Sequence, residues 1–348
     1  MTYLLARTAD RLLWGARYLE RAEDTARIVR AYGDLVFDYD SDELLSWEPL
    51  AALTGSIKYA DASDDERGYS IPDTDPTGER TITAYMLSDR SNPSSIVSSV
   101  TEARLNLRTT REVMPREAWQ AANQLSQYVN TAAAGAVERG TRDRFLLRVI
   151  EICRRLDGTL ESTMTRGHAY YMLRIGRLIE RADMTTRVLG VAAANALQNE
   201  RFRRETGADE AVVIDEVQWM SVLRSISALQ MYQRAVRGPI DGLAVVNFLM
   251  SYGAFPRSVQ GCFDELRWLL ATLPHADRPL DLLASAESLL AQTGVDVTEG
   301  ASLDQAMERI QSAIAALADE IHRTYVGSML VAGTEQHQHE RLERGADA

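Results

Sequence analysis

The sequence predicts an all-α fold: a single helical-bundle body built from two pseudo-symmetric halves by internal duplication. Three observations carry this. Apolar residues recur at helical spacing through almost all of the 348 residues, and no hairpin signal or convincing alternating run interrupts them. The stretch Arg17-Tyr18-Leu19-Glu20-Arg21-Ala22-Glu23-Asp24-Thr25-Ala26-Arg27 recurs 160 residues later as Arg177-Leu178-Ile179-Glu180-Arg181-Ala182-Asp183-Met184-Thr185-Thr186-Arg187, with six of eleven positions identical. Other pairs match in the same order. Trp47 and Trp219 lie 172 residues apart, and Pro93-Ser94-Ser95-Ile96-Val97 resembles Pro256-Arg257-Ser258-Val259-Gln260 at an offset of 163.

Taken in order, the first helix is expected from Thr8 to about Phe37, with Leu12, Leu19, Ala22, Ala26 and Val29 on one side. A short helix follows from an N-cap at Asp42 through Trp47 to Leu53. Gly55 to Gly78, rich in Asp, Ser, Gly and Pro, reads as a long loop. Helical spacing resumes from Glu79 to Asp89. Asn92 is placed as the N-cap and Pro93 as the first residue of a helix reaching Val113. Another runs from Pro115 to Val137, ended by a break at Gly140-Thr141. Thr141 or Arg142 opens the next, with Gly158 a point open to interruption. Ala169 to about Asn199 carries the second Glu-Arg motif.

A polar link, Glu200 to Glu210, leads to a helix from Asp215 to Arg237, broken by Gly238-Pro239. Leu243 to Met250 forms a further helix, and Pro256 starts one reaching Leu273. Pro274 and Pro279 bracket a turn. Leu280 to Gln292 and Ser302 to Val326 are the last two helices, before a polar tail expected to fray. The expected organisation is one domain over residues 1–332, with halves at about 1–138 and 141–273, helices at 280–330, and a disordered tail at 333–348.

The net charge of −12, from 38 basic and 50 acidic residues, argues against a nonspecific nucleic-acid or anionic-membrane binder. The N-terminus is charged too soon for a secretory signal, and the longest uncharged apolar stretch, Gly242 to Pro256, is too short for a span. A cytoplasmic protein is therefore expected, with Cys153 and Cys262 as small buried thiols.

On a helical wheel Arg17, Glu20, Arg21 and Asp24 share a face, ringed by Leu13, Trp14 and Ile28. Arg177, Glu180 and Arg181 take the matching places among Leu173, Met184 and Val188. With the opposite face apolar as well, each helix is expected to be covered on both sides, so its charges must be paired. Two readings stay open. One is a structural ion-pair network in which Glu20 and Glu180 bridge arginines within and across the halves. The other is a polar pocket in which Arg17, Glu20, Arg21, Arg177, Glu180 and Arg181 hold a carboxylate, phosphate or peptide group. In that case Glu20 or Glu180 is the candidate general base.

The Pro-x-Ser starts add a smaller pair of alternatives. Ser94, Ser95, Arg257 and Ser258 are candidates for binding an anion at exposed N–H groups, or the serines are ordinary caps. No His, Asp or Glu grouping has zinc spacing, and there is no Gly-rich phosphate loop or nucleophile elbow. Neither a metal nor a cofactor is expected.

Five ordered motifs together resemble the Alpha-E family, a bacterial all-helical family named for its Glu-Arg motif. They are Tyr18-Leu19-Glu20-Arg21-Ala22-Glu23, Asn92-Pro93-Ser94-Ser95-Ile96, Thr163-Met164-Thr165-Arg166, the Arg177–Arg187 stretch and Phe255-Pro256-Arg257-Ser258-Val259. The resemblance covers about Leu4 to Tyr325, and His168 and Tyr170 depart from its pattern. It implies a partner of circularly permuted ATP-grasp proteins, often with transglutaminase-like peptidases nearby, in a pathway that makes, modifies or cleaves a peptide or amide bond. A non-catalytic helical partner of an ATP-grasp ligase is the first expectation. The alternatives are an enzyme with a Glu/Arg site and a pure scaffold or homodimer.

Overall fold

Leu12, Ala22, Ala26 and Val29 are fully buried along one long helix, and Ile175, Leu178, Ala182 and Leu189 along another. These are α1 (Ala6–Asp38) and α6 (His168–Thr206), and the rest of the fold is arranged around them. The computed structural model describes residues 4–38, 47–54, 70–75, 77–206, 210–293 and 300–327. Among these there are twelve α-helices and no strand, the all-α class that the periodicity predicts. None of the described helices is long and apolar enough to cross a membrane.

After α1, the first half of the chain forms α2 (Glu79–Leu87), α3 (Ile96–Arg108), α4 (Arg116–Ala132) and α5 (Arg139–Thr163). After α6 come α7 (Glu210–Ser225), α8 (Leu229–Ala235), α9 (Gly242–Ser251), α10 (Val259–Ala271), α11 (Asp277–Thr293) and α12 (Gly300–His322). The α1–α6 interface is larger than that between any other two elements. α3 and α5 pack on α1, while α10 and α12 pack on α6. α4 joins α3 to α5 as α11 joins α10 to α12.

The two long helices run in the same direction. Leu13 meets Gly176, Glu20 meets Arg177 and Arg181, and Ile28 shares a cavity wall with Val188, so the contacts advance together along both helices. Small residues permit the close approach. A Cβ on Gly176 would overlap the Leu13 carbonyl oxygen, so only glycine fits there without a shift.

Several boundaries differ from the sequence expectation, each for a local reason. Residues Glu48–Thr54 form a 3-10 helix rather than an α-helix. Asp42, most of the 55–78 loop and the 333–348 tail lie outside the described residues. Asn92 is not an N-cap and Pro93 is not the first residue of α3. The Asn92 side chain instead accepts from Ser94 N at 2.9 Å and donates to the Tyr85 carbonyl, folding an Asx turn. The cap is Ser95, whose Oγ accepts from Ser98 N at 3.1 Å. Likewise Ser258, not Pro256, opens α10, its Oγ accepting from Gly261 N at 2.9 Å.

Gly140 does not break the chain, because it lies in the first turn of α5, and that helix continues through Gly158. The expected helix from Asp215 to Arg237 is two. Ser227 adopts φ 57, with Ser227 N bonded to the Arg224 carbonyl and Ala228 N to Leu223, a Schellman ending of α7. The expected turn at Pro279 is instead part of α11. A proline in the first turn sacrifices no intrahelical bond, so α11 begins at Asp277.

Candidate functional site

Arg17, Glu20 and Arg21 fall on successive turns of one face of α1, and Arg177, Glu180 and Arg181 do the same on α6. Because the helices are parallel and in register, each glutamate faces the other helix's two arginines. Arg17 Nε donates to Glu180 Oε2 at 2.9 Å, and Arg21 Nε to Glu180 Oε1 at 2.5 Å. In exchange Arg177 Nε donates to Glu20 Oε2, and Arg181 Nε to Glu20 Oε1 at 2.7 Å. The structure therefore brings together the six residues of the expected pocket, Arg17, Glu20, Arg21, Arg177, Glu180 and Arg181, and their pairs run across the helices rather than within one.

The Glu20 side is larger. Arg257, from the turn before α10, reaches Glu20 at 3.1 Å and Asp24 at 2.9 Å. Arg27 pairs with Glu23 at 3.1 Å and Asp24 at 2.5 Å. Arg177 continues to Glu23 at 3.1 Å and to Asp157 of α5. Sequence reasoning missed Asp157, which no repeat or motif marks. Glu23 and Arg27 were missed as well, and their i,i+4 spacing within the motif is the signal that could have marked them.

Glu20 is 0 % exposed and Glu180 1 %. Burial pushes the Glu20 carboxyl up, but attraction to Arg181, Arg177 and Arg257 outweighs it and holds the group well below the ordinary carboxylate range. Burial raises Glu180 too, and Arg21 and Arg17 bring it below its ordinary value. Asp24 and Asp183 shift the other way, because for them burial is the stronger effect. Burial and the charges of Arg27 and Arg181 lower Arg257 to about 10, which leaves it charged at neutral pH. A general base works best with a pKa near the working pH and with reach to a substrate proton. Glu20 and Glu180 are buried and doubly bridged, and their arginines hold both carboxyls below the ordinary range rather than near neutral pH, which does not suit that role.

The remaining candidates are placed as follows. Ser95 is fully buried and caps α3. Ser258 is also fully buried, and its hydroxyl donates to the Tyr252 and Phe255 carbonyls while capping α10. Ser94 N is bonded to the Asn92 side chain, and Arg257 belongs to the Glu20 network. Cys153 and Cys262 are free, buried thiols, Cys262 being pushed up by burial to about 12. Among the described residues no group of three or more His, Cys, Asp or Glu is arranged to hold a metal ion.

The cavities near the motif are small. One of about 40 Å³ lies between Ile28, Tyr32, Val188, Ala192 and Ser221. Another of about 20 Å³ is lined by Asp157, Tyr170, Arg174 and Arg177. Both are far below the ~300–1,000 Å³ typical of ligand pockets. A larger open depression of about 960 Å³ lies between α3 and α4, away from the motif, beside Arg108, Arg111, Glu112 and Trp119.

A family model describing a predicted alpha-helical domain with a conserved ER motif matches residues 4–326. Uncharacterized proteins of Mycobacterium bovis and of Mycobacterium tuberculosis strain CDC 1551 are each 24% identical over 314 residues, covering 86% of this chain and 34% of their own length. An uncharacterized protein of the H37Rv strain is 23% identical over the same share. The chain thus spans about a third of the length of the curated relatives it matches. No solved structure matches it.

Proposed function

The chain belongs to the Alpha-E family, and from that premise we propose that it is a non-catalytic helical partner of an ATP-grasp-type peptide or amide ligase. In this role it helps to bind or present the ligase's peptide, amine or carboxylate substrate. The observation that carries the reading is the reciprocal pairing of Glu20 and Glu180. It uses the family's named motif to join two helices and leaves neither carboxylate available for chemistry. The absence of a phosphate-binding loop in the sequence is in keeping with a ligase that brings its own nucleotide site. The greater length of the mycobacterial relatives supports a domain that works beside further protein. A transglutaminase-like peptidase is a second partner of the same pathway, and the cytoplasm is the compartment.

We also read the fold as an internal duplication, with α1–α5 corresponding to α6–α12. The reciprocal pairs support this, as do the matched caps Ser95 and Ser258. The hydrogen bond of Tyr170 to Glu161 has a counterpart at offsets of 160 and 161 in the 3.1 Å contact of Asp10 with His322. On this reading α5 closes the first half and α12 the second, which moves the division from residues 138–141 to the turn before His168.

Co-purification with the cognate ATP-grasp ligase tests the proposal. Recovery of a stoichiometric complex supports it. A ligase that is fully active and stable without this protein overturns it.

A further inference from the structure

The two sides of the clasp are unequally satisfied. Arg177 gives Nε to Glu20, Nη2 to Glu23 at 3.1 Å and Nη1 to Asp157, and Arg181 adds Nη1 to the Pro256 carbonyl at 3.4 Å. Arg17 and Arg21 each give a single Nε–H, both to Glu180. A guanidinium carries five N–H donors, so most of theirs remain. Among the described residues no other partner meets their Nη groups, and these atoms are not among the buried polar atoms lacking a hydrogen bond. They reach solvent: the Arg17 and Arg21 side chains are 15% and 18% exposed, against 9% and 8% for Arg177 and Arg181.

Their positions are fixed. Glu180 holds both Nε groups, the Trp14 ring lies 4.6 Å from the Arg17 guanidinium, and the Tyr18 ring lies 5.5 Å from that of Arg21. The charge is unbalanced, with two guanidiniums on one carboxylate. Asp183, whose charge also attracts Arg17 and Arg21, is itself paired with Arg187 at 2.7 Å, so three guanidiniums face two carboxylates.

We propose that Arg17 and Arg21 bind one external carboxylate through their Nη groups, in the relation that Asp157 has to Arg177. The surplus is one positive charge, which a carboxylate neutralises and a phosphate, at about −1.5 to −2, exceeds. Planar guanidinium edges match a carboxylate in two parallel hydrogen bonds, and the flanking Trp14 and Tyr18 rings offer an apolar wall to the group that bears it. The inference deepens the reading above by naming the substrate group, but it stands on these side chains whether or not a ligase is the partner.

Nitrogen-15 NMR of the full chain, following the Arg17 and Arg21 Nε–H signals, tests it. N-acetylglycine stands in for a peptide C-terminus, a glutamate side chain in N-acetylglutamate amide for an acidic residue, and N-acetylglycinamide is the uncharged control. A saturable shift of both signals with either carboxylate, and none with the control, is expected; which of the two binds tighter identifies the source. Arg17→Gln, which leaves Arg21 on Glu180, should weaken binding about tenfold or more. No saturable shift, an equal response to the control, or tighter binding of inorganic phosphate would overturn the proposal. Should Arg17→Gln not fold, the native titration decides. Carboxylate binding without a ligase complex upholds the site and removes the partner, and a complex without carboxylate binding does the reverse.

Discussion

Arg177 and Glu20 are separated by 157 residues in sequence, yet Arg177 Nε donates to Glu20 Oε2 on the neighbouring parallel helix. Arg17 and Glu180 form the counterpart at 2.9 Å. In a parallel pair of similar helices, like residues come face to face, and two identical charges would repel. Placing an arginine three residues before and one residue after each glutamate lets each helix supply the cations that the other's anion needs.

The two arginines differ in how much they hold. Arg177 bridges Glu20, Glu23 and Asp157, whereas Arg17 serves Glu180 alone, which Arg21 also holds. Removing one partner of a buried pair strands the other's charge, at a cost of about 3–5 kcal/mol. Arg177→Gln should reach that range in denaturant unfolding, and Arg17→Gln should fall clearly below it. Equal losses would contradict the asymmetry.

The acid response of Glu20 has a defined sign. Its folded pKa is depressed, so the stability it contributes is present above the unfolded value of about 4.3 and is lost as pH falls through the folded one. Asp24 and Asp183, raised by burial, contribute with the opposite sign. The difference in unfolding free energy between the native chain and Glu20→Gln should be constant from pH 7 to about 5 and should shrink below about 4.3. A gap that widens on acidification would refute the assignment.

Gly176 sets the distance between the long helices. A methyl group there meets the Leu13 carbonyl, which is backbone and cannot swing aside. Gly176→Ala should destabilise by about 1–3 kcal/mol through overpacking, despite alanine's better helix propensity. A thermal melt at or above that of the native chain would show that the helices separate at little cost.

The class of the fold and its two central helices were legible because long, periodic helices leave a strong pattern, and a repeated motif marked which two belong together. The starts of α3 and α10 lie later than the prolines suggest, because proline suits the loop before a helix as well as its first turn, and in both places the serine two positions on holds the cap. The division of α7 from α8 rests on one left-handed residue, Ser227, and serine carries no signal for that conformation. At the site, the wheel identified the charged face, but a wheel knows only its own helix. That Glu20 meets Arg177 and Arg181 rather than Arg17 and Arg21 depends on the parallel register of α1 and α6. The part of Asp157 depends on where α5 packs.

A double-mutant cycle on unfolding free energy tests the clasp most directly, using Glu20→Gln with Arg177→Gln and, separately, Glu20→Gln with Arg17→Gln. Contact across the helices predicts a coupling of about 0.5–3 kcal/mol for Glu20 with Arg177 and close to none for Glu20 with Arg17, its neighbour on the same helix. A coupling to Arg17 as large as that to Arg177 would contradict the account.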